Sequence, residues 1–250
     1  MSGPESRTLL GRRALVTGAG IRVGRAIALE LARHGCDIVV HVNGSRGPGE
    51  ETVAAIRDLG REAHLVVADQ RDVAAVQRAV AEAEEQAGPL DGLVNSAAIW
   101  PHVAVEDIEV EDFDLALEVN LRGPFFWAKE VGVRMRERGR GAIVNIADVS
   151  VDRPWPDSLP YCLAKAGVES MTYGLAKALA PAVRVNAIGP GPVLFPPNYP
   201  QERVDADRAA TLRGVEGSPE DIAHAVRFLF EAENVTGVLL PVDGGYRFGI

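Results

Sequence analysis

Residues 12–35 read RRALVTGAGIRVGRAIALELARHG, and the order of residue types in this stretch decides the fold. RRALVT is a short apolar run of the kind a buried parallel strand requires. Downstream, Ile27 and Leu31 stand at helical spacing among small alanines until Gly35 stops the run. Between the two lie Gly18, Gly20 and Gly24, which let the backbone turn tightly. Strand, glycine turn and helix in that order form a dinucleotide fingerprint, in which a pyrophosphate sits against the free N–H groups of the helix start.

The next segment, CDIVVHVNGSR (36–46), predicts a second strand ending near His41 to Asn43. A site for NAD carries an acid about 20 residues past the fingerprint, whereas a ribose 2′-phosphate calls for basic neighbours. Here that position holds Asn43, followed by Ser45 and Arg46, with no acid before Glu50, and Arg22 adds a cation within the glycine turn. These residues point to NADP(H); the competing reading leaves Arg46 merely solvated. A helix is expected over 51–59, and EAHLVVAD (62–69) predicts a third strand. Its last residue, Asp69, is placed to accept from an adenine amino group, though an acid opening the helix over 72–87 would look similar. DGLVNSAA (91–98) is the fourth strand, with Asn95 at its end among small residues that allow close approach to a cofactor. Trp100 follows in a loop, either stacking on a planar substrate or filling the core.

The stretch 111–138 reads as one long helix with an irregularity at Gly123 and Pro124, where Asn120 can hold a water in a proton path to Lys165. GAIVNIAD (141–148) is the fifth strand, closed by Asp148, which serves either the site or a turn. Tyr161 and Lys165 then lie one helical turn apart on one face. A phenol is a poor acid–base group at neutral pH, and the expectation is that the Lys165 ammonium lowers its pKa into working range. VRVNAIGPGP (183–192) is a sixth strand with an exit shaped by prolines and glycines. Residues 193–217 show no periodic pattern and are expected to form a lid. SPEDIAHAVRFLF (218–230) has the cap, proline and early acids of a helix start, and VTGVLLPVDGG (235–245) is the last strand. Alternating strands and helices without a linker predict a single α/β domain with a Rossmann-type, doubly wound parallel sheet of about seven strands.

Composition sets outer bounds. The chain has 250 residues, 47% hydrophobic and 24% charged, with a net charge of −9 that argues against a nucleic-acid partner. The expected partner is a small molecule. No apolar run reaches membrane-spanning length and MSGPESRTLLGRR lacks the apolar core of a signal peptide, so no membrane contact and a cytoplasmic location are expected. Two cysteines, Cys36 and Cys162, exclude a disulfide framework, and the five histidines are scattered, so no metal is expected.

Six segments together, TGAGIRVG (17–24), Asp69, NSAA (95–98), Asn120, YCLAK (161–165) and RVNAIGPG (184–191), resemble the short-chain dehydrogenase/reductase family over residues 10–247. Two departures, Arg22 at a usual glycine and Asp148 at a usual serine, resemble its pteridine reductase branch, as does HVNGSR (41–46). Ala98 and Val193 depart from that branch. The resemblance implies NADP(H) held by Gly18, Arg22, Val23 and His41, by Asn43, Ser45 and Arg46, by Asp69 and Asn95, by Tyr161 and Lys165, and by Pro190, Gly191 and Val193. It implies catalysis by Asp148, Tyr161, Lys165 and Asn120, with Arg22 and Trp100 joining Asp148 and Tyr161 around a pterin or folate-like C=N substrate. It also implies a homotetramer built on the long helices. Two rivals remain: a carbonyl or sugar-alcohol oxidoreductase of the same fold, and a cofactor-sensing protein without chemistry, for which the full set Asn120, Tyr161 and Lys165 would be superfluous.

Overall fold

A computed structural model describes residues 8–195 and 199–249. The expected alternation is present: β1 (Arg13–Thr17), α1 (Arg22–Arg33), β2 (Asp37–Val42), α2 (Arg46–Asp58), β3 (Ala63–Val67), α3 (Val73–Ala87) and β4 (Gly92–Asn95) lead into the second half. There follow α4 (Val110–Leu117), a π-helical turn (Glu118–Arg122), α5 (Gly123–Arg138), β5 (Gly141–Ile146), α6 (Leu159–Leu179), β6 (Val183–Pro190), α7 (Gln201–Ala210), α8 (Pro219–Glu231) and β7 (Leu239–Val242).

The seven strands form one sheet, all parallel, in the order β3-β2-β1-β4-β5-β6-β7. Successive strand side chains point to opposite faces, so each strand feeds two cores. Ala14 and Val16 of β1 pack with Ile27 and Leu31 of α1 and with Val226 and Phe230 of α8. Leu15, between them, packs on the other face with Val80 of α3, Trp127 and Val131 of α5, and Leu179 of α6. Each such fully buried aliphatic side chain contributes about 1.5–3 kcal/mol. Strand order reverses between β1 and β4, and their carboxyl ends open the crevice where ligands of such sheets bind.

Three expectations change. First, α2 begins at Arg46, well before residue 51. Pro48 costs nothing there, because a first-turn residue needs no N–H partner, and Gly49 lets the helix approach β3: a Cβ at Gly49 would lie 2.8 Å from Leu65 Cδ1. Second, the stretch 111–138 is two helices joined by the π turn, which replaces the simple kink expected at Gly123 and Pro124. Third, the lid is not patternless, since it contains α7; its residues 196–198 lie outside the described residues. This helix has one buried residue, Val204, and is held by polar side chains: Asp207 accepts from Tyr199 at 3.1 Å and from Tyr246 at 3.0 Å. A search for apolar periodicity finds no stripe in such an element. As expected, Asp72 caps α3 and Ser218 caps α8.

Candidate active site

A cavity of about 1060 Å³ runs from the glycine turn to the first turn of α6. Most of the expected site residues line it: Gly18, Arg22, Val23, His41, Asn43, Ser45, Asp69, Trp100, Asp148, Tyr161, Lys165, Pro190, Gly191 and Val193.

At the β1 end the backbone does the positioning. Thr17 Oγ1 accepts from Ser96 N at 2.9 Å and Ala97 N at 3.0 Å, pinning the β4 exit to the β1 exit. Gly18 has φ +67°, and a Cβ there would lie 2.8 Å from Ala97 Cα, so only glycine fits. Ile21 caps α1 without a side-chain acceptor, which leaves the first N–H groups of α1 unclaimed by any cap. Arg22 has φ +52°, the one non-glycine residue in that region among the described residues, and its Nη2 donates to Leu194 O at 2.6 Å.

Further along this wall the sequence expectations divide. His41 is buried, bonds through Nε2 to Ala68 O at 3.0 Å, and burial pushes its pKa down to about 4, so the ring is neutral. Asp69 is already engaged: Arg71 Nε and Nη2 donate to its Oδ2 at 2.9 and 2.6 Å, and this holds its carboxyl below the usual range. Arg46 stands in the first turn of α2, exposed and 3.7 Å from Glu50, and does not line the cavity. Asn95 does not line it either. It is buried and donates to Asn145 Oδ1 at 2.9 Å and Pro124 O at 3.1 Å, fastening β4 to β5 and to the start of α5. The expectation of direct cofactor contact at Asn95 is corrected to a role inside the sheet: as the last residue of β4, it pairs in register with Asn145 of β5.

At the other end, Tyr161 O–H donates to Asp148 Oδ2 at 2.8 Å, while Asp148 Oδ1 accepts from Ser150 N at 2.8 Å. Lys165 Nζ donates to Ile146 O at 2.7 Å and lies 5.6 Å from the Tyr161 ring centre. Burial and the neighbouring Asp148 carboxyl push the Tyr161 phenol well above its ordinary pKa, which reverses the expectation that Lys165 lowers it. Lys165 is itself depressed to about 8 by burial. Loss of hydration also raises Asp148. The pair is therefore a phenol and a carboxyl that share one short hydrogen bond and hold their protons.

Asn120 is fully buried in the π turn and does not face the cavity; its Oδ1 accepts from Ile99 N at 3.0 Å and its Nδ2 has no protein partner. What holds that turn was missed in the sequence. Gln70 Nε2 donates to Val119 O at 2.7 Å and Ala97 O at 3.2 Å, bridging the carbonyl that the π turn frees to the β4 exit. A Cβ at Gly123 would come within 2.8 Å of Gln70, so Gly123 makes room for this bridge. Gln70 and Arg71 directly follow Asp69 at a strand exit, and that position was the available signal. The sequence also gave no signal for Trp155 and Tyr199, which join Trp100 on the cavity wall.

Residues 18–247 match the family described as Enoyl-(Acyl carrier protein) reductase. The chain is 36% identical to an L-rhamnose 1-dehydrogenase (NAD(P)(+)) of Sphingomonas sp. (strain SKA58), covering 96% of this chain and 97% of the relative. The crystallised short-chain dehydrogenase/reductase from Serratia marcescens BCRC 10948 superposes with a TM-score of 0.91 at 31% identity, over 96% of this chain and 99% of that one. The chain belongs to the short-chain dehydrogenase/reductase family. A third family member, a metagenomic blue fluorescent protein in complex with NADPH, is similar at a TM-score of 0.90 and 32% identity, over 96% of this chain and 99% of its own. These relatives support an oxidoreductase of the short-chain dehydrogenase/reductase type. They favour its carbonyl and alcohol chemistry over the pteridine reductase branch. Among the described residues no helix is long and apolar enough to cross a membrane.

Proposed function

We propose that the protein is a nicotinamide-dependent oxidoreductase acting on an alcohol–carbonyl pair. The observation that carries this reading is the Tyr161–Asp148 hydrogen bond at 2.8 Å, deep in a cavity large enough for a dinucleotide and a substrate together. The residues present fit such a cofactor: the uncapped start of α1 suits a diphosphate, and the bare backbone at Gly18 suits close approach. Asn43 and Ser45 at the β2 exit, with Arg22 and Arg71 nearby and no carboxylate on β2's last turn outward, support the phosphorylated form, NADP(H). The rhamnose dehydrogenase relative is described with NAD(P)(+) and the fluorescent relative with NADPH.

When bound, the reduced nicotinamide supplies the hydride. Tyr161 gives its proton to the substrate oxygen as negative charge develops there, and its raised pKa keeps that proton in place at neutral pH. Asp148, kept partly protonated by burial, returns a proton to the phenolate through the bond it already makes. Lys165, fixed on Ile146 O behind the Tyr161 ring, stabilises the charge that passes through the pair.

Purified protein with NADPH or NADH and a panel of ketones, sugars and alcohols tests the reading through nicotinamide absorbance. Asp148→Ser should lower turnover by about 10²-fold; turnover near that of the wild type would remove Asp148 from the proton path. No turnover of any carbonyl or alcohol would overturn the proposal. A second reading, reduction of a pterin or folate-like C=N bond, is favoured by the raised Asp148 carboxyl, which suits protonation of a weakly basic nitrogen. Dihydrobiopterin in the same panel separates the two. Self-association through α4, α5 and α6, with a homotetramer as its expected size, is supported by the exposed Phe113, Phe125, Leu163 and Tyr173 on those helices.

A further inference from the structure

Around the Tyr161 hydroxyl the cavity wall is made of rings. Trp155 lies nearly parallel to Tyr161, at 14° and 6.1 Å between ring centres. Trp100 stands 5.3 Å from Trp155, 6.3 Å from Tyr161 and 6.0 Å from Tyr199, and Phe195 stacks on Tyr199 at 5.3 Å. These side chains come from four separate segments: the β4 exit, the stretch after β5, α6 and the approach to α7. Core packing does not account for them. Trp127 is fully buried in the core under the sheet, whereas Trp100, Trp155, Phe195 and Tyr199 lie outside every core cluster, are only partly buried and line the cavity.

The polar groups at this end are engaged with one another. Asp157 Oδ2 accepts from Arg203 Nη1 at 2.9 Å and lies 3.6 Å from His102 Nδ1. Asp207 spends one oxygen on Tyr199 and the other on Tyr246. A polyol needs partners for every hydroxyl it takes out of water, and here it would have to break those pairs. A flat ring needs only π faces and apolar edges, which this wall offers uncommitted.

We infer that the substrate is a flat aromatic molecule carrying the reacting carbonyl or alcohol on or beside its ring, an aryl ketone or the corresponding benzylic-type alcohol, with Trp100 as its main stacking surface. The inference deepens the oxidoreductase reading and rests on it for the chemistry, while the binding it requires is independent of turnover.

The experiment compares 2-acetonaphthone, its saturated analogue with a decalin ring, and L-rhamnose on the full-length protein. Binding is read from tryptophan fluorescence with NADP⁺ present, and turnover from nicotinamide absorbance in both directions. Each favourable aromatic pairing is worth roughly two- to tenfold in affinity, so the aryl ketone should bind about tenfold or more tighter than the decalin analogue. Trp100→Leu should shrink that ratio to about twofold, and Trp100→Phe, which keeps a ring, should retain most of it. Aryl binding with turnover supports both statements. Aryl binding with no turnover of any compound supports the aromatic site and overturns the oxidoreductase reading. Turnover of L-rhamnose or the decalin ketone at a kcat/KM equal to or above that of the aryl ketone overturns the aromatic site and leaves the oxidoreductase standing. Failure of the aryl ketone to bind, with no turnover of anything, overturns both. The wild-type ratio alone decides the inference if Trp100→Leu does not fold.

Discussion

Gly18 and Tyr199 line the same cavity, yet they belong to two kinds of structure. Around Gly18 the wall is main chain: Thr17 holds the β4 exit by two backbone N–H groups, Gln70 holds two backbone carbonyls, and the residue types are dictated by space for a Cβ or its absence. Around Tyr199 the wall is side chain: rings from four segments, fastened by ion pairs and phenol–carboxylate bonds that are part-exposed. The first end is set by the sheet and serves any dinucleotide-binding relative. The second can be rebuilt by substitutions that leave the sheet untouched, and this is why one fold serves many substrates.

The division between the two ends can be broken most sharply at Tyr161. Tyr161→Phe removes the proton donor and should lower turnover by about 10²- to 10⁴-fold while dinucleotide affinity moves by less than about twofold. Isothermal titration beside steady-state rates measures both, and parallel losses would mean that the two ends do not act separately. A smaller effect tests whether the sheet end is the acid-sensitive one. The His41 pKa is lowered from 6.5 to about 4 by burial, so the unfolded chain binds a proton that the folded one refuses. The neutral ring's contribution is fully present above pH 6.5 and is lost as pH falls toward 4, roughly 2–3 kcal/mol of it by pH 4.5. His41→Gln keeps a donor for Ala68 O without titrating, and denaturant unfolding at pH 7 and 4.5 should show that much less acid loss in the variant. Equal losses would remove His41 from the account. The smallest effect concerns Gln70. Gln70→Glu sets a carboxylate against the carbonyls of Val119 and Ala97 and should cost about 1–3 kcal/mol at neutral pH. Part of that loss should return at low pH, where a neutral carboxyl again donates one hydrogen bond. Thermal unfolding across pH checks it; a loss independent of pH would mean that shape, not donation, is what Gln70 supplies.

The same division marks what was legible in the sequence. The doubly wound sheet was readable because Val and Ile runs alternate with helical spacing, and the glycine turn because Gly18 is sterically required. Tyr161, Lys165 and Asp148 were readable as a set because one helical turn and one strand end fix their spacing. The direction of the Tyr161 shift was not, since it depends on burial and on a hydrogen bond to a residue thirteen positions away. Gln70 and Asn95 show the limits at the sheet end: one looked like a linker residue and the other like a cofactor contact until their partners were known. At the other end, Trp155 and Tyr199 carry no period, because loops bring them together. Helix α7 escaped because it is held by polar side chains.

Arg22 gives the glycine turn a cost of its own. A side chain at φ +52° carries roughly 1–2 kcal/mol of backbone strain that glycine would avoid. In return, its guanidinium ties the turn to the start of the lid at Leu194. Selection for stability alone would favour glycine at this position, so the arginine marks a trade-off in which the folded state gives up robustness for a connection between two loops that the sheet leaves independent. A more thermostable variant of this protein is therefore close at hand in sequence, and reaching it by Arg22→Gly would untie the lid.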